Sequence, residues 1–225
     1  YPHQTRYVVP ADAVHLVPAG VDPARAVLAA NMETAINGLW DAKPLIGERI
    51  TVIGAGVVGL LVAHLASKIP GVRVQIVDPL ISKAKAAQAL GLECVLPEDA
   101  IGEADLILHA SGSPSGLQSA LALAGFEARI VELSWYGDSS VELPLGGAFH
   151  SKRLKLISSQ VGHLPAEQMP RWNYAKRIGL ALELLRDPVY DVLISGEDDF
   201  ENLPNIMSMI AEDRSILCHR IRYPE

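Results

Sequence analysis

Cysteine is nearly absent from this 225-residue chain, occurring only at Cys94 and Cys218. Two cysteines so far apart exclude a disulfide scaffold and a zinc site of the CxxC kind, and they fit a reducing compartment as two small apolar side chains. Long apolar runs are missing too: no stretch of about 18 uninterrupted apolar residues occurs, which predicts no membrane-spanning helix. The N-terminus lacks the basic, apolar and small-residue succession of a secretory signal, so a cytoplasmic protein is expected. It begins at Tyr1 and reads as the middle of a longer chain. Nor is there a basic excess. Lys and Arg number 19 against 26 Asp and Glu, a net charge of −7, and the cations are scattered, which excludes a nucleic-acid groove and an anionic membrane surface as the main partner. A small-molecule ligand is the partner class that remains.

What is present is core-forming. Hydrophobic residues make up 49% and charged residues 20%, the balance of a globular chain. Residues 6–18 alternate loosely between turns, which predicts short strands belonging to a β-rich unit. From Asp22 the pattern changes: an Asp N-cap, Pro23 at the first helical position and apolar residues at helical spacing predict a helix as far as Trp40. Strands are then predicted at 49–53, 72–77, 94–96, 105–110, 128–133 and 154–158. Helices are predicted at 60–68, 82–90 and 115–124, with Gly91 stopping the second. This alternation is that of a doubly wound α/β domain, a six-stranded parallel sheet with helices on both faces. Beyond Gly162 the sequence predicts a helix at 172–186, a strand at 192–195, a helix at 202–211 and a closing strand at 215–221. The acidic run Glu197-Asp198-Asp199 reads as a solvated loop.

One motif carries chemistry. Gly54-Ala55-Gly56-Val57-Val58-Gly59 is a G-x-G-x-x-G sequence lying directly after an apolar strand and opening a helix, the context that gives such glycines meaning. Gly54 permits the tight turn, Gly56 lets the backbone approach a pyrophosphate, and Gly59 lets the helix lie close on the strand. The helix N-terminus offers unpaired N–H groups to the phosphates. The second strand ends on Asp78, whose carboxylate suits ribose hydroxyls and repels a 2′-phosphate, so NAD is expected over NADP. Pro79 follows it directly, and Lys83 stands where it either balances that carboxylate or remains a surface cation. Ser111 and Gly112, after the fourth strand, fall at the carboxyl edge where such sheets bind ligands.

These segments, together with YVVPADAVHLVP at the start and ALELLRDPVYDVLIS near the end, resemble the medium-chain dehydrogenase/reductase superfamily and its zinc-type alcohol dehydrogenase group. The resemblance covers almost the whole chain. It implies an NAD-dependent enzyme moving hydride between nicotinamide and an alcohol, aldehyde or ketone, working as a homodimer or homotetramer. It divides the chain into the end of a GroES-like catalytic domain (1–20), a Rossmann cofactor domain (21–162) and a segment returning towards the catalytic domain (163–225). By the same resemblance Thr34 contacts the nicotinamide side and Arg214 reaches the pyrophosphate. The family's N-terminal Cys ligand, Gly-His-Glu motif and four-cysteine lobe are not in this sequence, and the zinc-ligand position four residues before Thr34 holds Ala30. Zinc is therefore doubtful, no metal ligand is assigned, and the catalytic residues stay unassigned.

Glu33 is read as a helix-surface or capping residue and not as a metal ligand. The seven histidines are spread without metal-ligand spacing, and His150 is placed near the crevice edge as a candidate proton relay. No G-x-S-x-G elbow exists, so no serine triad is expected. Two alternatives accompany the dehydrogenase reading: an NAD-binding module without catalysis of its own, and a zinc-free reductase.

Overall fold

The computed structural model describes residues 3–224. Six parallel strands form one sheet: β1 (Arg49–Ile53), β2 (Arg73–Val77), β3 (Glu93–Val95), β4 (Ala104–His109), β5 (Ala124–Glu132) and β6 (Lys155–Ser158). Their order is β3-β2-β1-β4-β5-β6, so the chain reverses direction across the sheet between β1 and β4. That order is the doubly wound Rossmann arrangement, and it opens a crevice at the carboxyl ends of β1 and β4.

Strand residues alternate between two apolar layers, as the two-residue period of a pleated strand requires. Leu106 and Leu108 of β4 belong to one layer and Ile107 to the other, all fully buried. The first layer packs on α1 (Ala29–Ala42), α2 (Val57–Ser67), α3 (Ala84–Ala89) and α5 (Tyr174–Leu184). The second packs on α4 (Pro114–Leu123) and the irregular segment that leads to Phe149. Helices thus lie on both faces, but unevenly. Between β3 and β4 the crossover carries only the 3-10 turn Pro97–Asp99. A cavity of about 410 Å³, lined by Arg49, Thr51, Arg73, Gln75 and Ile101, lies there at the amino ends of the strands, away from the glycine turn.

Several expectations are corrected. Residues 6–18 form no strand; they are irregular apart from the 3-10 turn Ala11–Ala13, with Val8 and Leu16 almost fully exposed. No strand among the described residues lies beside this segment to take its backbone hydrogen bonds, and an unpaired strand is not stable in water. Tyr1 and Pro2 of the opening stretch lie outside the described residues. Asp22 caps a turn rather than the helix: its Oδ1 accepts from the Ala24 N–H at 2.9 Å, a 3-10 turn follows at Ala26–Leu28, and α1 begins only at Ala29. The Glu197-Asp198-Asp199 run is not a loop. It is half of β7 (Ile194–Asp199), which pairs in parallel with β8 (Cys218–Arg222). The bases of β8 make this possible: Glu197 meets Arg220, Asp198 meets His219 at 3.0 Å and Asp199 meets Arg222 at 2.7 Å. Between the two strands runs α6 (Leu203–Glu212).

The segment after β6 is tied back to α1 by charge. Arg25 is buried and binds Asp191 through two nitrogens, at 2.6 and 2.9 Å. A polar ladder also climbs one stripe of α1, where positions four apart share a face. Glu33 accepts from Arg177 Nε at 3.0 Å, Asn37 accepts from Arg177 Nη1 at 2.7 Å, and Asp41 accepts from Asn37 and from the Ser159 hydroxyl. Glu33 is therefore an ion-pair partner of α5 and not the surface residue expected from its helix position.

Arg177→Ala should lower unfolding stability by about 3 kcal/mol, because it strands Glu33 and Asn37 without their donor in a buried setting. Urea unfolding checks this; a loss below about 1 kcal/mol would mean the ladder contributes little.

Candidate functional site

The site grows out of a single tight turn. At Gly54 the backbone has φ +106°, a conformation that side chains oppose, and a Cβ there would stand 2.7 Å from the Ser111 Cα. A Cβ at Gly59 would stand 1.9 Å from the Gly54 carbonyl oxygen, so the first turn of α2 can lie on the turn only because residue 59 is glycine. Gly56 differs. Nothing lies within 4 Å of where its Cβ would be, so its main chain faces open space. It is also the N-cap of α2 and supplies no side-chain acceptor, leaving the first amides of that helix for another partner. Val57 and Val58 are half-buried at the start of α2.

Asp78 closes the turn from beneath. Its carboxylate is only 6% exposed, accepts from the Ala55 N–H at 2.7 Å and the Leu80 N–H at 2.8 Å, and lies 3.3 Å from Lys83 Nζ. Of the two readings of Lys83, the structure selects the one in which it balances Asp78. Pro79 is exposed beside them.

Ser111 and Gly112 sit across the crevice just beyond the carboxyl end of β4. Thr34 lies on α1 one turn before Gly38, which packs against Leu133 at the end of β5; its hydroxyl donates to the Ala30 carbonyl at 3.0 Å. Arg214 is exposed in the turn between α6 and β8, with no hydrogen bond or ion pair to the glycine turn. The structure thus links Ser111 to Gly54, Ala55 to Asp78 and Asp78 to Lys83 in one cluster, and leaves Arg214 outside it. His150 is exposed and precedes β6, which puts it at the amino edge of the sheet, opposite the crevice. The proton-relay reading of it is withdrawn. Among the described residues no three His, Cys, Asp or Glu side chains converge as a metal-ligand set. Burial pushes the Cys94 and Cys218 thiols up, so both are poor nucleophiles.

A second cluster went unseen in the sequence. The last residues of β4 and β5, His109 and Glu132, are register partners, and their side chains meet at 2.7 Å through His109 Nδ1. On its other side His109 Nε2 lies 2.6 Å from Ser111 Oγ. Glu132 also accepts from the Ser134 N–H at 2.7 Å and from the Tyr136 hydroxyl at 3.0 Å. The His109 side chain has no solvent exposure. Burial alone would raise Glu132, but the donors from His109 and Ser134 outweigh it and hold the carboxyl below its ordinary range. Burial and the neighbouring Glu132 push the Tyr136 hydroxyl upward. An ionised carboxylate only accepts, so Nδ1 carries a proton, and in the neutral imidazole Nε2 is left to accept from Ser111. A sequence signal did exist: parallel strands with aligned ends place their terminal residues side by side, so the His and Glu closing adjacent strands are neighbours.

No family model matches this sequence. Curated relatives do. A 2-dehydro-3-deoxy-L-galactonate 5-dehydrogenase of Pseudoalteromonas atlantica is 28% identical over 170 residues, spanning 70% of this chain and 49% of the relative. D-guloside 3-dehydrogenase of Escherichia coli is 26% identical over 199 residues, spanning 83% of this chain and 55% of the relative. An uncharacterised zinc-type alcohol dehydrogenase-like protein of Haemophilus influenzae is 28% identical over 138 residues, 56% of this chain and 40% of that one. These relatives are dehydrogenases or carry a zinc-type alcohol dehydrogenase-like name, and the chain is similar to them over 56–83% of its length. The chain spans about half the length of the first two of these relatives. Among solved structures its fold is shared by an alcohol dehydrogenase, RspB, of E. coli CFT073 complexed with NADH. That likeness has a TM-score of 0.74 at 24% identity and covers 93% of this chain and 62% of the other. L-idonate 5-dehydrogenase of E. coli gives a TM-score of 0.76 at 18% identity, covering 91% and 58%.

Glu132 carries a linked prediction. Its folded pKa lies below the ordinary 4.5, so the stability it contributes is present above that value and is lost as pH falls through the folded value. Glu132→Gln should remove that loss, and urea midpoints measured below about pH 4.5 should then fall less steeply than in the wild type. Parallel acid limbs would show that Glu132 is not held in its charged form.

Proposed function

We propose that this chain binds NAD(H) across the crevice and serves an oxidoreductase of the alcohol dehydrogenase type. The observation that carries the reading is the glycine cradle: side-chain-free backbone at Gly54 and Gly59, where any Cβ would collide, beside open space at Gly56. A pyrophosphate needs that shape, since its oxygens must reach main-chain amides directly. Gly54, Ala55, Gly56, Val57, Val58 and Gly59 would hold it with the first turn of α2. Asp78 would accept from the adenosine ribose on its remaining lone pairs while Lys83 balances its charge, with Pro79 bordering the ribose. Ser111 and Gly112 would line the far wall, Thr34 the nicotinamide side, and Arg214 would reach the pyrophosphate by movement of its exposed turn.

When bound, the nicotinamide supplies the hydride chemistry, and the protein's part is to orient it and exclude water. A carbonyl or alcohol is the substrate class in keeping with the relatives' dehydrogenase names. Zinc does not fit the residues present: Ala30, at the family's ligand position, is exposed and offers no donor side chain, so no step is routed through a metal. That residue favours the zinc-free alternative. We further assign residues 1–20, 21–162 and 163–225 to the end of the catalytic domain, the cofactor domain and the returning segment. The free thiols are in keeping with a cytoplasmic protein, and the open edge at β6, where Leu156 is exposed, suits a homo-oligomer joined through cofactor domains.

Calorimetric titration with NADH and separately with NADPH tests the reading. NADH should bind at least about tenfold more tightly, a difference of about 1.4 kcal/mol. Absence of binding by either would overturn it. Asp78→Asn, which keeps an acceptor for the Ala55 N–H but removes the charge, should narrow that ratio by favouring NADPH. An unchanged ratio would count against placing the ribose at Asp78.

A further inference from the structure

We propose that Ser111 is an activated hydroxyl, the outer member of a Glu132–His109–Ser111 relay that makes it a nucleophile towards acyl and phosphoryl electrophiles. The three contacts have the arrangement that nucleophilic serine chemistry requires: an oriented carboxylate, an imidazole whose proton sits on the carboxylate side, and a hydroxyl within reach of the other nitrogen.

With the imidazole neutral and Nδ1 donating to Glu132, the partners of Ser111 give the direction of its proton. The Ser113 N–H donates to Ser111 Oγ at 3.1 Å and occupies one lone pair. The serine's own proton is then directed at His109 Nε2, 2.6 Å away. Because the His109 side chain has no solvent exposure, no water competes for that nitrogen, while Ser111 itself is exposed to the crevice. Its main chain rests on Gly54, and its hydroxyl turns away from that contact to His109.

Donors for a developing oxyanion lie alongside. The first turn of α4 leaves the amides of Ser115 and Gly116 without intrahelical acceptors. A Cβ at Gly116 would stand 2.4 Å from Ser111 Oγ and 2.6 Å from His109 Nε2, so the amino end of this helix lies on the serine–histidine pair only because residue 116 is glycine. Amides held in place beside a nucleophile are what stabilises charge on an attacked group. The absence of a G-x-S-x-G elbow, which argued against a serine triad, does not matter here. The pair is assembled by the H-A-S spacing at the end of β4 and by its register with β5.

Diisopropyl fluorophosphate is the probe. Ser111 Oγ attacks phosphorus, the O–P bond forms as the P–F bond breaks, fluoride leaves, and the serine proton passes to His109 Nε2 while Glu132 stays ionised beside the imidazolium. The full chain, incubated near neutral pH and analysed by intact mass and peptide mapping, should carry one diisopropylphosphoryl group on Ser111 and none in Ser111→Ala. His109→Gln and Glu132→Gln should slow labelling by about a hundredfold or more. No adduct at Ser111 in the folded wild type, or equal rates in both variants, would overturn the proposal. Ser111→Cys gives a measurement that leaves the relay intact. Its alkylation by iodoacetamide should persist well below the ordinary thiol range of about 8.5. An ordinary thiol profile would equally refute the relay.

Discussion

Main chain lies directly against main chain at Gly54, where the turn after β1 meets Ser111 after β4 and the first turn of α2 at Gly59. Everything at the carboxyl edge depends on that three-way contact. It requires two residues without side chains and one positive φ, and it sets the crevice at the point where the strand order reverses. Asp78 stabilises the same contact from below by accepting the Ala55 N–H, so the group proposed to meet the ribose also holds the turn in shape. Recognition and local architecture share one carboxylate.

The two crevice walls beyond the glycine turn are likewise joined by a shared acceptor. Glu132 takes donors from His109 on β4 and from Ser134 and Tyr136 after β5, while the Ser134 hydroxyl receives the Gly112 N–H at 3.1 Å. One half-buried carboxylate therefore sets the spacing of the loops on either side of it. Removing it leaves several donors unpaired at once, the costly half of hydrogen-bond energetics.

The sequence made the sheet legible because short apolar runs bounded by Gly, Pro and Asp alternate with helical patterns, and β1 was read at its observed bounds, Arg49–Ile53. The glycine turn was legible for a different reason: its context of strand and helix is local. What escaped was non-local. The His109–Glu132 contact depends on register between strands, Glu33 on an arginine 144 residues away, and the acidic run of β7 on bases in β8. Glu33 and the acidic run were read as surface residues because their partners are remote in sequence. Residues 6–18 failed in the opposite direction, since alternation there has no neighbouring strand among the described residues to turn it into a sheet.

The two sheets answer to different forces. The six-stranded sheet is buried between apolar layers and is insulated from mobile ions, whereas β7 and β8 are joined side by side by exposed carboxylates and guanidinium groups that the surrounding electrolyte screens. Ionic strength acts on one and scarcely touches the other. The amides of the small parallel ribbon thus open to exchange at a lower free energy than those of the six-stranded sheet, and the ribbon can loosen and reclose while the crevice keeps its form.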